Sequence, residues 1–201
     1  MGRGRILKRL LFILWLGLTA AFITFDFSGG SVTAANLCKF GVVLCCFSIA
    51  LFSKEKTLKT PMALTVLADY FIILTDRYAL GVLIFCAVQT LHSYRHFGKI
   101  SRWFILRRVI YLAAAAFAYV FAGDILTALC AFYVCSLLES VFSAFLTRNK
   151  TIIAAMVLFL FCDLFVLLFN LALPFSDLAG KIIWLFYSPS QLLLALSKRG
   201  S

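Results

Sequence analysis

The sequence predicts an all-α polytopic membrane protein, one integral membrane domain over residues 1–201 with eight transmembrane helices, and three observations carry that expectation. Of 201 residues 64% are hydrophobic and 13% charged, whereas a soluble domain carries about a quarter charged residues. Apolar runs near the roughly 20 residues that a bilayer requires succeed one another with short breaks. The breaks alternate between basic and acidic, as cytoplasmic and external loops do.

The runs cover about 8–25, 32–52, 60–75, 78–95, 104–121, 125–146, 152–172 and 178–197. The first, preceded by Arg3, Arg5, Lys8 and Arg9, reads as a retained span, because no small-x-small cleavage site separates it from the acidic break that follows. Turn-forming residues then punctuate the chain: Asp26 to Gly30, Lys54 to Pro61, Asp76 with Arg77, His96 to Arg102, Gly123 with Asp124, Arg148 to Lys150, and Pro174 to Asp177. Every second boundary is basic. Beyond the first, these hold Lys54, Lys56 and Lys59; Arg95, Lys99, Arg102, Arg107 and Arg108; Arg148 and Lys150; and Lys198 and Arg199, which puts 16 of the 19 basic residues on one side. Both termini are therefore expected in the cytoplasm, in a bacterial plasma membrane.

A net charge of +11 invites a nucleic-acid reading, but a nucleic-acid binder gathers its cations on one face of a folded domain. Here they are distributed among loops, so no nucleic-acid partner is expected. The seven cysteines fall within apolar runs without metal-ligand spacing and read as small packing side chains. His92 and His96 stand at the basic end of the fourth run, where interfacial histidine is ordinary. No metal, cofactor, phosphate-binding loop or serine nucleophile motif is expected.

Polar residues inside the runs are the candidate functional groups, since a charge at mid-span costs about 2.5–3.5 kcal/mol on insertion scales. They are Lys39, Asp69, Glu139 and Asp163, with Asn36, Gln89, His92, Asn170, Tyr187 and Gln191. Counting inward from the outer ends at about 1.5 Å per residue, Lys39 and Asp69 lie ~10 Å deep, Asp163 and Tyr187 ~14 Å, Gln89 ~16 Å, and Glu139 and Gln191 ~20 Å. Depth alone implies a polar pocket opening from the outer half of the membrane, or a Lys39–Asp69 pair that fixes helix packing. The stretches Val66 to Leu74 and Leu160 to Leu168 are alike around Asp69 and Asp163. They lie four runs apart in the same direction, the pattern of two parallel four-helix repeats.

The order of the runs, Asp69 on the third, Gln89 on the fourth, Asp163 on the seventh and Tyr187-Ser188-Pro189-Ser190-Gln191 on the last resemble the YhhN-like lysoplasmalogenase family. The resemblance covers nearly the whole chain. It implies eight membrane helices and hydrolysis of the vinyl ether bond of a lysophospholipid, with Asp69 and Asp163 catalytic. Lys39, Gln89, Tyr187 and Gln191 would bind the substrate. Ala68 stands where the family usually has Gly, Cys162 where Ser is frequent, and Gln89 where His is frequent. Such hydrolysis needs one protonated and one ionised carboxyl; a cation such as Lys39 beside Asp69 would keep Asp69 ionised and leave Asp163 as the acid, and the reverse order is equally compatible with the sequence. The alternative is a non-enzymatic binding or transport protein whose intramembrane pocket holds a solute unchanged.

Overall fold

The computed structural model describes residues 3–170 and 176–198, with side chains for 4–170 and 178–198. Short turns apart, these residues are helical: α1 (Arg3–Ser28), α2 (Val32–Leu51), α3 (Lys56–Asp69) continued by a π-helical turn (Tyr70–Leu74), α4 (Tyr78–Phe97), α5 (Arg102–Ala122), α6 (Ile125–Leu146), α7 (Lys150–Asn170) and α8 (Ser176–Leu196). Of the seventh expected break, Pro174 lies outside the described residues, as do the side chains of Ser176 and Asp177. Arg199 lies outside them too.

Local chemistry explains the helix ends. Ser31, Ser101 and Asp124 each accept a hydrogen bond from the third helical N–H of α2, α5 and α6, satisfying a donor that has no partner within the helix. Hydrogen bonds from the Thr127 backbone and side chain hold the exposed Asp124 carboxyl below its ordinary pKa. At the far ends of α4 and α5, Gly98 (φ 77°) and Gly123 (φ 67°) take the left-handed conformation that closes a helix. The third helix starts at Lys56, four residues before the expected 60, so Pro61 lies within it. The run of lysines there reads as a loop by composition, yet Glu55 provides a fixed start: its carbonyl accepts the Leu58 N–H and its carboxylate is bound by Arg95.

Among the described residues six helices are long and apolar enough to cross a membrane: Gly4–Ser28, Val32–Leu51, Lys56–Leu74, Arg102–Ala122, Ile125–Leu146 and Lys150–Asn170. Their outward faces are hydrocarbon; on α5 alone Trp103, Val109, Ile110, Phe117, Val120 and Phe121 are all more than half exposed. Water would not tolerate such a surface and lipid requires it. The protein is a helical membrane protein. α4 and α8 are as long but more polar, carrying His92, Arg95 and His96, or Ser188, Ser190 and Gln191.

Contacts divide the chain into two compact units. In the first, α1 packs on α2, α2 on α8 and α8 on α7; in the second, α5 packs on α6, α6 on α4 and α4 on α3. The more polar helices, α4 and α8, thus have packed neighbours on two sides, which is why they can carry side chains that lipid would reject. Adding four to the helix numbers of one set of packed pairs, counted cyclically through eight, generates the other.

Candidate functional site

In the second unit α3 and α4 run antiparallel. Arg95 Nε donates to Glu55 at 2.6 Å near one end, and near the other a side chain at Gly81 would strike Ile72 and the Ala68 carbonyl. Asp69 is 4% exposed, the last residue before the π-helical turn. A π turn carries one extra residue within its hydrogen-bonded ring and re-aims neighbouring side chains, and such turns recur at functional sites. Gln89 and His92 follow on α4, both fully buried, and none of their side-chain nitrogen or oxygen atoms has a protein hydrogen-bond partner among the described residues. Buried polar atoms are satisfied by protein or by ordered water or ligand, so this pair calls for a polar guest. From the α3–α4 register Gln89 lies about two turns, ~10 Å along the axis, from Asp69.

Below Gln89 the core is polar down to the basic end. The Ser140 hydroxyl donates to the Gln89 carbonyl at 2.7 Å and is 3.0 Å from the Ser93 hydroxyl. His96 Nδ1 lies 3.1 Å from the Ser143 hydroxyl, and the His92 and His96 rings stack at 6.1 Å. Both histidines are buried, which corrects the interfacial reading: α6 sets the Ser140 carbonyl and the Ser143 hydroxyl against His96, so the ring points into the bundle. Arg95, counted in the sequence as a loop charge, is likewise fully buried on Glu55. Glu139 binds both Arg107 and Arg108, so it serves as counter-ion to two cations.

In the first unit Lys39 Nζ is 2.8 Å from Asp26. This partner stands thirteen residues upstream, because the turn between α1 and α2 folds Asp26 back over the second helix. Lys39 also lies over the Trp184 ring at 5.7 Å, and Trp184 packs edge-on to Tyr187 at 5.0 Å. Lys39 and Tyr187 are thereby joined through Trp184, a residue that sequence reasoning passed over although it stands one turn before Tyr187. Asp163 is partly buried on α7; Phe159, one turn earlier, meets Tyr187 at 5.5 Å, so Asp163 and Tyr187 are about one turn apart in axial register. Gln191 is fully buried and its side-chain amide has no protein hydrogen bond among the described residues.

Asp69 and Gln89 therefore belong to one unit, and Lys39, Asp163, Tyr187 and Gln191 to the other. Among the described residues no three His, Cys, Asp or Glu side chains cluster as metal ligands. Comparison with protein-family models, curated proteins and solved structures finds no match to this chain.

Proposed function

We propose that this protein is an eight-span membrane lipid hydrolase, similar to the YhhN-like lysoplasmalogenases, that cleaves the vinyl ether bond of a lysoplasmalogen-type lysophospholipid. One observation carries the reading: each unit offers an aspartate and a buried polar residue at matching positions. Asp163 stands 94 residues after Asp69, as α7 starts 94 after α3; Tyr187 stands 98 after Gln89, as α8 starts 98 after α4. The three main helix contacts of each unit repeat with the same four-helix shift, which supports duplication of a parallel four-helix segment. Duplication also supports membrane crossing by α4 and α8, since each would repeat the other and the basic loops alternate over eight spans. Both termini are then cytoplasmic, in a bacterial plasma membrane.

The chemistry suits two carboxyls. One donates its proton to the β-carbon of the vinyl ether, leaving an oxocarbenium ion that the second, ionised, carboxylate steadies. Water adds to the cationic carbon and gives up a proton, and the hemiacetal breaks its bond to the glycerol oxygen, releasing a fatty aldehyde and a glycerophospho-headgroup. No metal or cofactor is needed for these steps. Asp69 and Asp163 are assigned the two carboxyl roles, with Lys39, Gln89, Tyr187 and Gln191 holding substrate and water.

The buried amides of Gln89 and Gln191 also suit a protein that binds a polar ligand without changing it. Product analysis after incubating purified protein with a lysoplasmalogen separates the two readings. Release of stoichiometric aldehyde is expected; saturable recovery of the intact lipid, with no aldehyde, would establish capture instead.

A further inference from the structure

An apolar cleft of about 660 Å³ opens between α4 and α5, floored by α6. Its walls include Cys86, Leu112, Ala115, Ala116, Leu129 and Phe132. The first unit contains the corresponding arrangement, α1 and α8 over α2, but there the gap is filled. Thr19 and Ser188 hydroxyls meet at 3.1 Å across it, and the fully buried Phe22 packs on Trp184 at 5.9 Å. Ala116 stands 94 positions after Phe22, as α5 ends 94 after α1, and Cys86 stands 98 before Trp184, as α4 starts 98 before α8. The cleft is lined there by a methyl and a thiol, whereas the gap in the first unit holds two large rings.

The cleft leads to charge. On α5 the stripe Tyr119, Ala116, Leu112 continues to Arg108, and on α6 Leu129, Phe132 continue to Ser136 and Glu139, each at helical spacing. Arg108 donates to the Ser136 hydroxyl and to Glu139, yet its Nε is buried with no hydrogen-bond partner among the described residues. Arg107, a third exposed, shares the same carboxylate. Two guanidiniums on one carboxylate leave a positive charge at the inner end of the cleft. From Arg108 to Tyr119 the stripe runs about 16 Å, close to half of a ~30 Å hydrocarbon core.

We propose that this cleft binds one acyl chain of an anionic membrane phospholipid, with its phosphate against Arg107 and Arg108. The proposal is independent of the hydrolase reading. Guanidinium forks match phosphate oxygens, and basic recesses between membrane helices on the cytoplasmic side hold anionic headgroups.

The test is a titration of delipidated full-length protein with phosphatidylglycerol or phosphatidylcholine of identical chains, with native mass spectrometry counting the lipids retained. One phosphatidylglycerol is expected to bind at least ten-fold more tightly than phosphatidylcholine. Ala116→Phe, which restores the filling seen around Phe22, should weaken that binding at least ten-fold with the melting temperature kept. Arg107→Gln, which leaves Arg108 and Glu139 as a neutral pair, should abolish the preference between headgroups. If Ala116→Phe does not fold, Leu83→Trp, half exposed on the opposite wall, fills the cleft instead. Equal binding of the two lipids by the unaltered protein, or unchanged phosphatidylglycerol binding by a folded filled-cleft variant, would overturn the proposal.

Discussion

Glu139 and Glu55 illustrate how single residues hold a membrane bundle together. The Glu139 side chain is 4% exposed and neutralises one of two cations; Glu55 meets an Arg95 that no solvent reaches. Removing one partner of a buried ion pair costs about 3–5 kcal/mol because the remaining charge stays in low dielectric. Glu139→Gln and Glu55→Gln should therefore each lower the detergent melting temperature by many degrees, while Asp76→Asn, exposed in the turn after the π segment, should leave it unchanged. Thermal unfolding followed by circular dichroism checks this. Sequence depth counts found the polar residues but not their partners. Depth gives the distance along a helix and says nothing of the direction around it, so it gives neither the Asp26 partner of Lys39 nor the burial of Arg95 and His92.

The π-helical turn and the helix that packs on it form the next level. Gly81 allows α4 to lie so close that an added Cβ would strike the Ile72 side chain and come within 3.1 Å of the Ala68 carbonyl. Gly180 on α8 faces Phe169 in the same way, at 2.9 Å. Gly81→Ala must push back a β-branched side chain and the backbone just before Asp69. Overpacking of this kind costs about 1–3 kcal/mol, and under the proposed hydrolase reading it should also lower turnover, since it displaces the backbone beside Asp69. Gly17→Ala, whose Cβ would meet nothing within 4 Å, is the control, and melting temperature together with aldehyde release are the readouts. The helices themselves were legible because lipid imposes length and hydrophobicity on each, and loops impose charge. The π turn was not, because Tyr70 to Leu74 is as apolar and as regularly spaced as an α-helical run; the extra residue is accommodated by contact with α4, which composition does not record.

At the scale of the molecule, the proposed order of two parallel four-helix segments in eight spans rests on the alternation of basic and acidic loops, the repeated helix contacts and the matched aspartates. An impermeant thiol reagent applied to intact cells should mark Ser28→Cys, and should mark Ser53→Cys only after the membrane is opened. Labelling of Ser53→Cys from outside would break the eight-span order. That the segments pair as α1, α2, α7, α8 and α3 to α6, and not as the first and last four helices, was beyond the sequence, since hydropathy assigns helices to the membrane without naming their neighbours. Asp69 and Asp163 are the most direct point of attack on the account as a whole. General acid–base groups contribute about 10²–10⁴-fold, and groups that act as a unit are not additive. Aldehyde release from a lysoplasmalogen should fall at least ~100-fold in folded Asp69→Asn and in folded Asp163→Asn, with the double variant scarcely worse than the poorer single one. Full turnover in either folded single variant would contradict the account.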